Sequence, residues 1–136
     1  MLHDMHNTHE ARRAISPVSS ANDTGIVSQI IDLQGCSALE FLIATGSLGD
    51  ADATFTTLVE HGDVANLSDA VAVPDSDLLG TEAQASFIFS DDDKVYSIGY
   101  KGIKRYVRLT ITPANNGTAG LISAIALVKK MKVGSL

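Results

Sequence analysis

The sequence predicts an all-β fold: a jelly-roll-like β-sandwich of about seven or eight strands behind an extended N-terminal arm. Three observations carry this. Short runs of β-branched and aromatic residues recur at roughly ten-residue spacing, with Gly, Pro, Asn and Asp between them. Residues 104–112 alternate strictly, with Val107, Leu109 and Ile111 on one side and Tyr106, Arg108, Thr110 and Thr112 on the other. That period of two belongs to a strand with one buried and one wet face. No segment reads as a clear helix.

In chain order, residues 1–24 read as an arm. His3, His6, His9, Arg12 and Arg13 alternate with polar residues, and Pro17 and the run 19–25 interrupt regular structure. Ile15 and Val18 are its anchors. The sandwich domain spans 25–136. Strands are expected over 26–33, 39–45, 54–60, 85–89 and 95–100, with a short one near Val71 and Val73. Residues 113–117 form a turn. Residues 121–128 are apolar on both faces. They are a central strand, or one covered by a partner, and periodicity alone does not exclude a helix there. Lys129, Lys130, Met131 and Lys132 make a short basic tail.

The totals narrow the function. The 136 residues suit one domain that can bury a core without staples. Cys36 is the only cysteine, so no intrachain disulfide is possible. No apolar run reaches the about 18 residues of a membrane span, and no apolar leader segment opens the chain. The chain is expected to stay in the cytoplasm or in an assembly built there. Aromatics are 5% with no Trp, and the net charge is −6. Both disfavour a nucleic-acid binder, which needs stacking platforms and cations.

Charge is unevenly placed. All 16 acids lie at or before Asp93, and eight of the ten Lys and Arg follow it. Either composition drifts along the chain, or the folded module has faces of opposite sign.

Catalytic and metal constellations are missing. His3, His6 and His9 would not converge on an extended arm, so no metal ligand set is assigned. Asp91, Asp92 and Asp93 read as a polar turn, without the spacing of a calcium loop. A nucleophile would have to be Cys36 or a serine, with His61 as the only histidine outside the arm. No nucleophile elbow, zinc-protease motif or P-loop is present. The reading is therefore a binding module, with no enzymatic activity and no cofactor. Tyr100, Lys104, Arg105, Tyr106 and Arg108 form a candidate protein-interface patch, since Tyr and Arg anchor interfaces. Leu121, Ile122, Ile125 and Leu127 are candidate oligomer-interface residues.

Several segments resemble one family. Residues 13–17 are similar to its N-terminal arm, 31–35 to its first-strand motif, and 78–81 to its mid-chain loop. The most specific stretch runs from Tyr96 through Tyr100, Lys104 and Tyr106 to Arg108, and on through Thr112 to the apolar 121–128 strand. In this order they resemble the small capsid cement, or decoration, proteins of tailed bacteriophages. The family's acidic turn after the third strand is abbreviated here to residues 59–63. The resemblance implies a jelly-roll protein on the outside of an HK97-fold shell, part of the virion, clamping capsomers as a dimer or trimer. Its partners would be the major capsid protein and itself, without direct nucleic-acid or membrane contact. It also implies an arm that grips the capsid through Arg12, Arg13, Ile15 and Pro17. Alternative readings are a head–tail connector or tail subunit, or a host-glycan-binding β-sandwich.

Overall fold

A computed structural model describes residues 1–131. It is an all-β, jelly-roll-like sandwich of two antiparallel sheets. The strands are β1 (His9–Ser20), β2 (Ile26–Val27), β3 (Ile31–Asp32), β4 (Cys36–Leu48), β5 (Thr54–Gly62), β6 (Val71–Ala72), β7 (Leu78–Leu79), β8 (Phe87–Ile88), β9 (Val95–Tyr100), β10 (Tyr106–Ala114) and β11 (Gly120–Lys130). Sheet A has the order β1-β11-β4-β9-β7. Sheet B has the order β2-β10-β5-β6, with β3 also on β10 and β8 on β5. No helix of the described residues is long and apolar enough to cross a membrane.

Alternation builds the core. Phe41 and Ile43 of β4, Ile98 of β9 and Ala126 and Val128 of β11 point inward from sheet A. They meet Val107, Leu109 and Ile111 of β10 with Phe55 and Val59 of β5. Phe55 stacks on Phe87 at 4.9 Å between ring centroids, and Phe87 on Tyr96 at 5.5 Å. Burial of these aliphatic and aromatic side chains is the main source of stability, at about 1.5–3 kcal/mol for each large one.

Expectation and structure agree best from β9 onward. Residues 95–100 form β9 as predicted, and the buried set of β10 is the predicted one. The 121–128 segment is a strand, held between β1 and β4.

Three expectations change. First, the N-terminal arm is not separate from the sandwich. β1 pairs with β11 along its whole length, and Ala14 and Ile15 enter the core. Only two of its side chains are buried apolar ones, which is why the segment reads as polar. Register shifts between Arg13 and Ile15, and between Ile15 and Val18, mark β-bulges that accommodate Pro17, which has no N–H to donate.

Second, residues 26–33 do not make one strand. β2 and β3 both pair with β10, and the chain between them leaves the ladder. There the Ser28 hydroxyl accepts the Leu109 N–H at 2.8 Å, doing the work of a backbone carbonyl. The Gln29 N–H donates to the Ala14 carbonyl at 2.8 Å, tying the edge of sheet B to β1 of sheet A.

Third, residues 85–89 contribute only the short β8. The 81–86 loop completes the edge of β5 with side chains instead. Ser86 Oγ accepts the Thr57 N–H at 3.0 Å, Glu82 accepts the Val59 N–H at 2.8 Å, and the buried Thr57 hydroxyl donates to the Ala85 carbonyl at 2.7 Å.

A candidate protein-docking face on sheet A

Both sheets expose apolar side chains on their outer surfaces. On sheet B the outward residues of β10 are Tyr106, Arg108, Thr110 and Thr112, and those paired with them on β5 include Glu60 and Thr56. Leu58 of β5 and Val27 of β2 flank Thr110 on that face, and Ile88 of β8 stands beside Thr54, so threonines and an ion pair alternate there with apolar side chains. On sheet A the outward positions run in rows across the strands. One row reads Ala11, Leu127, Glu40, Gly99 and Leu79; the next reads Arg13, Ile125, Leu42 and Ser97. Ser123, Ala44 and Val95 follow, then Leu121 beside Ser19. Leu121 is 47% exposed, Ile125 42%, Leu79 50% and Val95 69%. Ile125 neighbours Leu42 and Leu127 on this face, while Leu79 and Val95 stand toward its far edge.

Two glycines keep the face smooth. A Cβ on Gly46 would come within 3.0 Å of the Leu121 Cβ, and one on Gly99 within 2.6 Å of Glu40 Oε1. Leu121 and Glu40 therefore lie flat over the neighbouring strand. Burial raises the Glu40 carboxyl above its ordinary value, with the Ser97 hydroxyl acting in the opposite direction. Toward the Pro17 end, an open groove of about 510 Å³ runs between β1 and β4, lined by Pro17, Val18, Ser19, Gly46, Leu121 and Ser123 among others.

The predicted interface residues separate on this map. Leu121, Ile125 and Leu127 share the outer face, while Ile122 is 2% exposed and belongs to the core, because alternation sends neighbouring residues to opposite sides. Among the arm residues, Ile15 is core, and Pro17 is exposed at the groove. Arg12 points toward the sandwich edge. Its Nε lies 2.7 Å from Glu10, its Nη1 donates to the Asp32 carbonyl at 2.6 Å, and its Nη2 lies 3.6 Å from Cys36 Sγ. Arg13 alone of the two arginines stands on the outer face.

The Tyr and Arg patch is partly open: Arg105 is exposed, and Lys104, Tyr106 and Arg108 are half-buried. Tyr100 is buried; its oxygen accepts the Lys104 N–H at 3.0 Å and sits 2.8 Å from His61 Nδ1. Burial pushes the Tyr100 hydroxyl above its ordinary value. Lys104 pairs with Asp63 at 2.7 Å and Arg108 with Glu60 at 3.0 Å. Arg105 grips Asp32 through two 2.9 Å contacts, also reaches Gln34, and lies 5.0 Å over the Tyr106 ring. The Arg105 guanidinium holds the Asp32 carboxyl down at about 2. These three bases pair with acids of the first 93 residues, so the fold lays part of the basic segment beside the acidic one.

The acidic turn is structural in the same way. Asp91 accepts the Ile88 N–H at 2.9 Å, Asp92 accepts the Leu48 N–H at 3.0 Å, and Asp93 takes a left-handed φ of 54°. Among the described residues no group of three or more His, Cys, Asp or Glu converges on a common point. Of the basic tail, Lys129 and Lys130 belong to β11, Met131 is exposed, and Lys132 lies outside the described residues.

Comparison with known proteins places the fold. No protein-family model matches the chain, and no curated protein matches it. Among solved structures it resembles the CBM22-1–GH10 modules of endo-1,4-β-D-xylanase 10B from Clostridium thermocellum, solved with xylohexaose. There the TM-score is 0.53 and identity 12%, over 95% of this chain and 27% of that one. The CBM22-1 xylan-binding domain of Paenibacillus barcinonensis Xyn10C has a TM-score of 0.45 and 13% identity, over 93% of this chain and 89% of that one. An adhesin domain of Lys-gingipain from Porphyromonas gingivalis has a TM-score of 0.43 and 9% identity, over 94% and 87%. The chain thus spans about a quarter of the xylanase chain. At these identities the likeness is one of fold, and the shared fold is the β-sandwich.

Proposed function

We propose that the chain is a non-catalytic structural module that works by docking on protein, and that the outer face of sheet A is where another chain covers it. The observation that carries this is the group of apolar side chains on the outer face of β11 and β4, where Leu127, Ile125 and Leu42 neighbour one another and Leu121 stands at the groove. Covering that group would stabilise an assembly at about 25 cal/mol per Å² of apolar surface removed.

The sequence resemblance gives this module a setting, the outside of a tailed-phage shell. Cement that binds only the expanded shell shifts the shell toward that form by linkage. Many copies at repeated sites multiply a modest contact. Co-sedimentation with expanded and unexpanded shells tests the reading. Binding to expanded shells at near one copy per capsid subunit supports it; no binding to either form sinks it.

A second reading is favoured by the fold shared with a xylanase module and by the groove beside Leu121, where the Ser19 and Ser123 hydroxyls stand. It makes the chain a glycan-binding sandwich. Against it at this groove, no aromatic ring stands among the outward residues of sheet A: Phe41, Phe55, Phe87 and Tyr100 are buried, Tyr96 faces inward opposite Ile43, and the accessible rings, Phe89 and Tyr106, stand elsewhere. Sugar stacking needs such a platform. Affinity for xylo-oligosaccharides, lost on Ser123→Trp filling of the groove, would favour this second reading over the first.

A further inference from the structure

We propose that the end of the sandwich where β1 finishes and β10 turns into β11 binds a calcium ion, with Ser20, Asn22, Asp23 and Asn116 supplying oxygens. The inference does not depend on what covers sheet A.

A buried amide carries it. Asn116 is 3% exposed, and its Oδ1, alone among the buried side-chain nitrogens and oxygens of the described residues, has no hydrogen-bond partner. Its Nδ2 instead faces three oxygens: the Ser20 carbonyl at 2.9 Å, the Ser20 hydroxyl at 3.4 Å and the Asn22 carbonyl at 3.4 Å. The amide thus has two hydrogens for three acceptors on one side and no donor for its oxygen on the other. Half a turn of the amide leaves its shape unchanged and brings Oδ1 among those same oxygens. Oxygens alone repel one another in that arrangement; around a cation they are its ligands.

Charge favours a cation at this end. Asp23 accepts the Asn116 N–H at 2.8 Å and Asp50 accepts the Gly117 N–H at 2.7 Å, so two carboxylates sit on consecutive amides of one turn. Neither has an ion-pair partner among the described residues. No Lys or Arg occurs between Arg13 and Lys94 or between Arg108 and Lys129. Lys94, at the same end of the sandwich, is paired with Asp91 at 3.2 Å. Asp50 spends both oxygens on the Asp52 and Gly117 N–H groups, which hold its carboxyl below the ordinary value. Asp23 spends one oxygen on an N–H and keeps the other for a metal.

The donor set names the ion. It is two main-chain carbonyls, a hydroxyl, an amide oxygen and a carboxylate, without imidazole or thiolate, and such a set selects a hard cation. Calcium takes about six to eight oxygens in a flexible geometry, whereas magnesium demands a near-ideal octahedron and gives up water reluctantly. Water would complete the calcium shell. Bound there, the ion ties the last residues of β1 to the turn between β10 and β11.

Calcium titrated into the full chain, stripped with a chelator and held at constant ionic strength, tests this by calorimetry and thermal melting. The expected result is one site with Kd on the order of 0.1–1 mM, and a melting temperature raised by about 5 °C at about 10 mM calcium. Magnesium at the same concentration gives roughly half that rise or less. Asp23→Asn weakens calcium binding by about tenfold. Asn116→Asp melts below wild type in chelator, because its carboxylate meets the Ser20 and Asn22 oxygens, and regains most of the difference in calcium. Asp75→Asn, at the opposite end near the Asp77 carbonyl that accepts the Lys101 N–H, leaves the calcium response unchanged. No heat and no shift in melting overturn the inference. A rise that is the same in Asp23→Asn as in wild type, or that falls as far in Asp75→Asn, is general screening of an acidic protein and overturns it too. An Asn116→Asp chain destabilised equally with and without calcium makes the amide a cap on Ser20 alone, which also overturns it.

Discussion

Arg108 of β10 and Glu60 of β5 stand at directly paired positions, with Nε 3.0 Å from Oε1 and both side chains less than a third exposed. Their partnership is one place where the basic last part of the chain lies beside its acidic first part. The antiparallel pairing of β10 with β5 lays the basic segment beside the acidic one. A double-mutant cycle with Arg108→Ala and Glu60→Ala should give a coupling of about 0.5–1 kcal/mol that shrinks with added salt. Urea unfolding at low and high ionic strength checks it.

Asp32 should make part of the stability depend on pH. Its carboxyl is held at about 2 by Arg105, below the ordinary 3.8. The folded state therefore favours the ionised form. The resulting stability is fully present above the unfolded value and is lost as pH falls from about 4 toward about 2. Asp32→Asn should be less stable than wild type at neutral pH, and the difference should vanish near pH 2. Because the pair is nearly half exposed, the effect is small. Unfolding midpoints measured from pH 7 down to pH 2 resolve it.

The His61 and Tyr100 pair is a buried polar contact inside an apolar core. Tyr100→Phe keeps the ring and removes the oxygen shared by His61 Nδ1 and the Lys104 N–H. The expected cost is about 1–3 kcal/mol, since the buried His61 ring and the half-buried Lys104 N–H lose their partner at once. A fall in the denaturant midpoint with an unchanged slope would report it.

Neighbouring residues of β11 should respond oppositely. Ile122→Ala opens a cavity in the core and should cost about 2–5 kcal/mol. Ile125→Ala trims the outer face and should cost under about 1 kcal/mol in the monomer while weakening association. Thermal melts at low concentration read the first effect, and sedimentation reads the second.

Truncations separate a tether from a strand. Removing residues 1–8 takes away an exposed segment and should leave the domain folded. Removing residues 1–20 takes away β1, uncovers β11 and deletes Ala14 and Ile15 from the core, and should unfold the domain or lower its melting temperature sharply. Circular dichroism melts of the two truncated chains distinguish them.

Much of this fold is legible in the residues. β10 announces itself because Val107, Leu109 and Ile111 alternate cleanly with polar residues, and β9 and β11 follow from their β-branched content and flanking turns. β1 is not legible, because an edge strand with two bulges buries only Ala14 and Ile15 and otherwise resembles a polar tether. The break between β2 and β3 is hidden as well, since it depends on the Ser28 hydroxyl finding a backbone amide of β10. The site was half visible. The two-sided apolarity of 121–128 posed a choice between a central strand and a covered one; β11 is central and still presents Leu121 and Ile125 to the outside. The ion pairs of the basic patch around Arg105 are not legible, because their acids, Asp32, Asp63 and Glu60, lie more than 40 residues away in the chain.

Oxidative footprinting of the protein in its native assembly tests the docking face most directly. The account predicts that Leu121, Ile125 and Leu127 on sheet A are protected relative to the dilute protein, while Val27 and Leu58 on sheet B react as before. Equal reactivity of both faces in the assembled and dilute states would contradict it.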